Sequence, residues 1–91
     1  MEIIILDGAC MTDKEAAHAY IAKVMRFPAH YGKNLDALAD CLSELTSRVT
    51  VILKDSGALR ENLGNYAERI IMVFEEMCTR PDSFDFVLKA D

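Results

Sequence analysis

At 91 residues the chain has room for one small domain, 1–91, and a domain of this size buries only about 60–65% of its unfolded surface. A hydrophobic fraction of 52% with 27% charged residues excludes a disordered or fibrous chain. A net charge of −5 and a pI near 4.9 argue against direct contact with nucleic acid or an anionic membrane, and they permit a basic partner.

Residues 2–7, EIIILD, are a short β-branched run closed by Asp7-Gly8, which reads as a strand and a turn. The run is continuous rather than alternating, so burial on both faces is expected, as in a parallel sheet. Thr12 starts a helix, with Thr12 and Glu15 fitting a capping box. Ala17, Ile21 and Val24 form its apolar stripe, Tyr20 lies at the edge, and His18 is expected at the surface or the edge of the stripe. Pro28 ends this helix near Arg26. The segment 28–33, PAHYGK, is a connection that presents aromatics, and Gly32 is expected to take a backbone angle other residues avoid.

Asn34 is a good N-cap for a second helix running toward Leu45. At about 100° per residue, Leu35, Leu38, Leu42 and Leu45 share an arc of about 80°. Asp36, Asp40 and Glu44 share another arc, roughly opposite. Like charges four residues apart cost a helix a few tenths of a kcal/mol per pair, and no Lys or Arg within 36–44 relieves them. Asp36 sits in the first turn, where the helix dipole favours an acid, but Asp40 and Glu44 have no such support. Folding does not require this acidic face, which makes it the candidate working surface.

Residues 48–53, RVTVIL, form a second strand. Asp55 or Ser56 caps a short helix that Gly64 stops. Asn65 with Glu68 caps a last helix, with Ala67, Ile70, Ile71, Phe74 and Met77 or Cys78 on its apolar stripe. Residues 84–88, FDFVL, close the chain as a strand. The order β-α-α-β-α-α-β predicts an α/β fold, a three-stranded parallel sheet with helices packed on it.

Catalytic and cofactor signatures do not stand out. There is no Gly-rich phosphate loop, no GxSxG and no HExxH. Cys10, Cys41 and Cys78 are odd in number without a CxxC pair, so free reduced thiols and no metal site are expected. No apolar run nears the ~20 residues of a membrane span. The opening MEIIILDG lacks a basic n-region, so a cytoplasmic protein is expected. Asp36 and Asp40 have no His or third ligand beside them on their helix, which weakens a hydrolase or metal reading.

The tract His30–Leu42, HYGKNLDALADCL, resembles the signature of the barstar family, intracellular inhibitors of the ribonuclease barnase. Length, the opening strand, the break at Pro28 and a last helix with Val73, Phe74 and Glu76 fit at the level of pattern. The resemblance implies a single domain with a three-stranded parallel sheet, no cofactor and no enzymatic activity. It also implies a protein partner, a small basic ribonuclease that is secreted or toxin-like, bound 1:1 by a monomer. In that family the acidic helix plugs the enzyme's active site in place of RNA phosphates. Residue by residue, the resemblance makes Asp40 the central acid, Asp36 the second helix acid and Glu76 the acid that meets a rim arginine. Asn34 and Gly32 become loop contacts. His30 stands where the family has an interface tyrosine, Ala39 where it has a tryptophan, and Lys33 where it has an acid. Protonation of His30 could tune binding near neutral pH. The trimmed aromatics leave a second reading open, an adaptor or regulatory module that uses the same acidic face on a partner other than a nuclease.

Overall fold

The computed structural model describes all residues, 1–91. The chain runs β1 (Glu2–Asp7), a 3-10 turn (Gly8–Cys10), α1 (Lys14–Met25), α2 (Leu35–Leu42), β2 (Val49–Lys54), α3 (Ser56–Leu63), α4 (Asn65–Cys78) and β3 (Asp85–Leu88). The three strands form one parallel sheet in the order β1-β2-β3. This is the expected β-α-α-β-α-α-β order and the barstar-like fold, with one added 3-10 turn.

One expectation about the sheet fails. Ile4 and Leu6 of β1 and Val51 and Leu53 of β2 point into the core, but Ile3 and Ile5 are 61% and 52% exposed. Register places Ile5 beside Ile52 and Ile52 beside Val87, itself 38% exposed, so this row crosses the open face. The helices cover one face only. A run of isoleucines cannot report this by itself, because β-branched residues suit a strand on either face.

The inner face packs against α1 and α4. Along α4, Ala67, Ile70, Ile71, Phe74 and Met77 are buried, as their spacing predicts. The Phe74 ring stacks on Phe86 at 5.1 Å and meets Phe84 edge-on at 6.3 Å, locking the last helix to β3.

The caps depart from the sequence reading. Asp13, not Thr12, caps α1 by accepting from the Ala16 N–H. Asp is as good a cap as Thr, and one residue of phase decides between them. Arg26 ends α1 in the left-handed conformation, just before Pro28. Asp55 caps α3, as expected, accepting from Ala58. Gly64, at φ 59° and ψ −130°, precedes α4 without a side-chain cap, so Asn65 is the first helical residue rather than the cap. Only glycine adopts that backbone region readily. Glu68 instead pairs with Arg60 of α3 at 2.6 Å, bracing the α3–α4 corner. No helix is long and apolar enough to cross a membrane.

Candidate functional site

The α1–α2 connection is a short loop pinned at both ends. The Tyr31 N–H donates to the Pro28 carbonyl at 3.0 Å. Asn34 accepts from the Ala37 N–H at 2.7 Å, capping α2, and its amide donates to the Gly32 carbonyl at 3.4 Å. One residue thus starts the helix and ties down the loop before it. The left-handed residue here is Lys33, at φ 54°, and not Gly32. Gly32 is small for another reason: a Cβ there would lie 3.3 Å from the Ala37 Cβ and 3.4 Å from the Asn34 amide nitrogen. Its role is close approach of loop to helix.

That approach leaves one pocket of about 280 Å³ between loop and helix, lined by Pro28, His30, Tyr31, Gly32, Ala37, Asp40, Cys41 and Glu44. Four sequence-predicted site residues meet there: His30, Gly32, Asp40 and Glu44. Helix α2 ends at Leu42, so Glu44 reaches the pocket from the following turn rather than from the helix. The Ser43 N–H bonds to the Ala39 carbonyl and the Glu44 N–H to the Cys41 carbonyl, which carries the helical path on for that turn.

The other candidates lie outside the pocket. Asp36 is exposed in the first turn of α2. Asn34 is exposed at the cap. Ala39 is half-buried and packs against the core, and Glu76 is exposed on α4. Helices α2 and α4 are packed together.

The two ion pairs of the molecule are Lys54–Asp7 and Arg60–Glu68. Neither touches α2, so Asp36, Asp40 and Glu44 are unpaired. Their field is felt by the neighbouring thiol. Burial, and then the charges of Glu44 and Asp40, push Cys41 above its ordinary value. The Cys41 thiol is therefore a protonated, half-buried part of the pocket lining, consistent with the free reduced thiol expected. Nowhere do three or more His, Cys, Asp or Glu side chains cluster in a way that could hold a metal.

The structure departs from the sequence expectation at two residues, Tyr31 in the pocket lining and His18 behind it. Tyr31, expected in an exposed loop, is only 8% exposed and packs on Phe27 with ring centroids 5.0 Å apart. His18, expected at the surface or the edge of the stripe, is 1% exposed. Its Nδ1 lies 2.7 Å from the Tyr31 hydroxyl and its Nε2 2.6 Å from the Tyr66 hydroxyl of α4. His18, Ile21 and Met25 are spaced i, i+3, i+7 and form the buried stripe of α1. The signal was present in the spacing, but the identity of histidine argued against a core position.

Fold and site together define a class: a small α/β domain whose parallel sheet carries helices on one face, with an acid-rimmed pocket where α2 leaves its loop. The family described as Barstar (barnase inhibitor) matches residues 1–90. A Bacillus subtilis (strain 168) protein named "Putative ribonuclease inhibitor YrdF" is 36% identical over 77 residues, covering 84% of this chain and 85% of that one. The chain belongs to the barstar family.

Proposed function

We propose that the chain inhibits a small basic ribonuclease by docking α2 and its pocket over the enzyme's active site. The observation that carries this reading is the row of unpaired carboxylates Asp36, Asp40 and Glu44, two of which line a pocket that a cationic side chain could enter. Family membership and the name of the Bacillus relative support it. Asp40 is the central acid, set on rigid helix beside the pocket. Asp36 extends the negative surface along α2, and Glu76 extends it on α4. Asn34 and Gly32 shape the loop edge, and His30 offers an exposed ring at the rim. Ala39 leaves the helix surface low where a larger side chain would protrude. The complex is 1:1 with a monomeric inhibitor, acting in the cytoplasm as an immunity protein against a secreted or toxin-type enzyme.

The acids act in two ways. At long range they steer a basic partner, so the association rate falls steeply with salt. At contact they exchange water for guanidinium or imidazolium partners. Asp40→Ala is expected to weaken binding by about 2–5 kcal/mol, a range drawn in part from the barnase–barstar complex itself. Inhibition of ribonuclease activity and the binding constant measure it. An Asp40→Ala variant that binds within about twofold of the parent would refute this docking.

The small Ala39 and the histidine at position 30 favour one other reading, an adaptor that turns the same acidic face to a basic protein without nuclease chemistry. Capture of a partner lacking ribonuclease activity, with binding abolished by Asp40→Ala, would establish it.

A further inference from the structure

His18 lies under the pocket, and the docking reading gives it no task. It joins three elements: α1, which carries it, the pocket loop through Tyr31, and α4 through Tyr66. Tyr31 is itself one of the residues that line the pocket. A neutral imidazole donates from one nitrogen and accepts at the other, so one tyrosine gives His18 a proton and the other takes one.

Burial decides which. The Tyr31 contact is fully buried, while the Tyr66 contact is only partly so. If Nδ1 carried the proton, the Tyr31 hydroxyl would accept it and its own hydrogen would point into the core without a partner. If Nε2 carries it, Tyr31 donates to Nδ1, Nε2 donates to Tyr66, and the Tyr66 hydroxyl hydrogen is free to meet water. Only the second arrangement satisfies every group.

A second proton on the ring breaks this arrangement on the Tyr31 side. Nδ1 then becomes a donor facing a donor. Tyr66 continues to accept, but Tyr31 must turn its hydrogen into apolar surroundings or leave. No carboxylate lies against the ring to hold the imidazolium. The titratable groups that face it are Tyr31 from the loop and Tyr66 from α4. On α1, Lys14 sits 4.6 Å over the Tyr66 ring, and Arg69 of α4 acts on Tyr66. Cys41 of α2 acts on Tyr31. With no carboxylate to offset it, burial lowers the His18 value.

We propose that His18 is the positioning residue of the docking pocket: as the neutral Nε2–H tautomer it holds Tyr31, and with it residues 28–33, in the binding-ready shape, and its protonation releases that loop and weakens partner binding. This rests on the docking reading for its second half. The first half, control of the loop, concerns the free protein alone.

The test has two arms. In the free protein, ring nitrogen shifts of His18 and the hydrogen exchange of loop 28–33 are followed by NMR as pH falls from 8 to 5. The loop is expected to lose protection with the same midpoint as His18, while the amides of β2 keep theirs. His18→Gln, which can both donate and accept but does not titrate, is expected to hold the loop closed throughout. Tyr31→Phe keeps the ring and removes the hydrogen bond, and is expected to flatten the loop's response if the Gln variant does not fold. Loop exchange that ignores the His18 midpoint, or an unchanged response in these variants, overturns the inference.

In the second arm barnase is the probe. The ratio of dissociation rates, parent over His18→Gln, is expected to rise about five- to tenfold on acidification, a usual size for coupling between two sites. A flat ratio overturns the coupling to binding. Absence of barnase binding by both proteins at every pH counts against the docking reading for that enzyme, and the loop arm then decides the role of His18 by itself.

Discussion

Gly8 is where the fold leaves least room, and substituting it gives a sharp test. It follows β1 and opens the 3-10 turn that packs on α3. A Cβ placed there would lie 2.3 Å from the Asp55 carbonyl oxygen, 3.0 Å from the Leu59 Cβ and 3.1 Å from the Asp55 carbonyl carbon. Two of those atoms are backbone, and ordinary contact begins only at 3.4 Å. Asp55 cannot retreat freely. Its side chain caps α3, its carbonyl accepts from the Leu59 N–H, and the adjoining Ser56 N–H is bonded to the Lys89 carbonyl. Moving it disturbs the start of α3 and the end of the β2–β3 pairing together. Overpacking a rigid site costs about 1–3 kcal/mol, and rigid backbone places Gly8→Ala at the upper end, about 3 kcal/mol. For a domain of this size each kcal/mol is worth about 4–8 °C, so melting should fall by about 12–24 °C.

Gly57→Ala is the matched control. Its Cβ would meet nothing closer than the Ala90 carbonyl at 3.7 Å, within α3 and without a positive φ. It should be neutral or stabilising by up to about 1 kcal/mol, as alanine in a helix generally is. Thermal unfolding by circular dichroism, with urea midpoints alongside, reads both. If Gly8→Ala melts within about 3 °C of the parent, or if the two variants fall equally, the close approach of the turn to α3 is wrong.

Other perturbations address the site. Asn34→Ala removes the α2 cap and the tie to Gly32, and should cost about 1 kcal/mol with a matching fall in the urea midpoint. Asn34→Asp, which keeps the accepting oxygen, should recover most of it, and equal loss in both would refute the capping role. Stability should also depend on pH through His18. Its folded value lies below the ordinary histidine value of about 6.5, so between the two the unfolded chain binds the extra proton. The His18 contribution is therefore complete above about 6.5 and declines as pH falls toward the folded value. Urea midpoints at pH 8 and pH 5 should show the parent losing more than His18→Gln, and parallel losses would exclude it.

Much of the molecule is legible in the chain because its signals are local. The IIIL run, the leucine spacing from Leu35 to Leu42, and the stripe Ala67, Ile70, Ile71, Phe74 and Met77 each meet a simple rule of period and propensity. They yield the element order and the parallel sheet. The acids at 36, 40 and 44 are equally visible, since no neighbouring lysine or arginine hides them in the sequence, and in the fold they remain unpaired. Capping assignments slip by one residue: Asp13 competes with Thr12 for the same N–H groups, and the backbone angle of Gly64 starts α4 one residue early, so that Asn65 is already helical.

What only the tertiary structure decided is where each face ends up and what meets across it. Periodicity finds the buried stripe of α1, but it cannot say that His18 belongs to it. Histidine enters a core only if both ring nitrogens find partners, and those partners, Tyr31 and Tyr66, lie 13 and 48 residues away in sequence. The open face of the sheet, bearing Ile3, Ile5 and Val87, follows from all the helices crossing on one side, which no strand encodes by itself. The pocket is likewise a product of packing. Its acids are written in α2 and the turn after it, and its walls come from a loop held close by a missing Cβ at Gly32 and a tyrosine bonded to a buried ring. Local rules determined which residues carry charge, and long-range hydrogen bonds decided the shape that presents it.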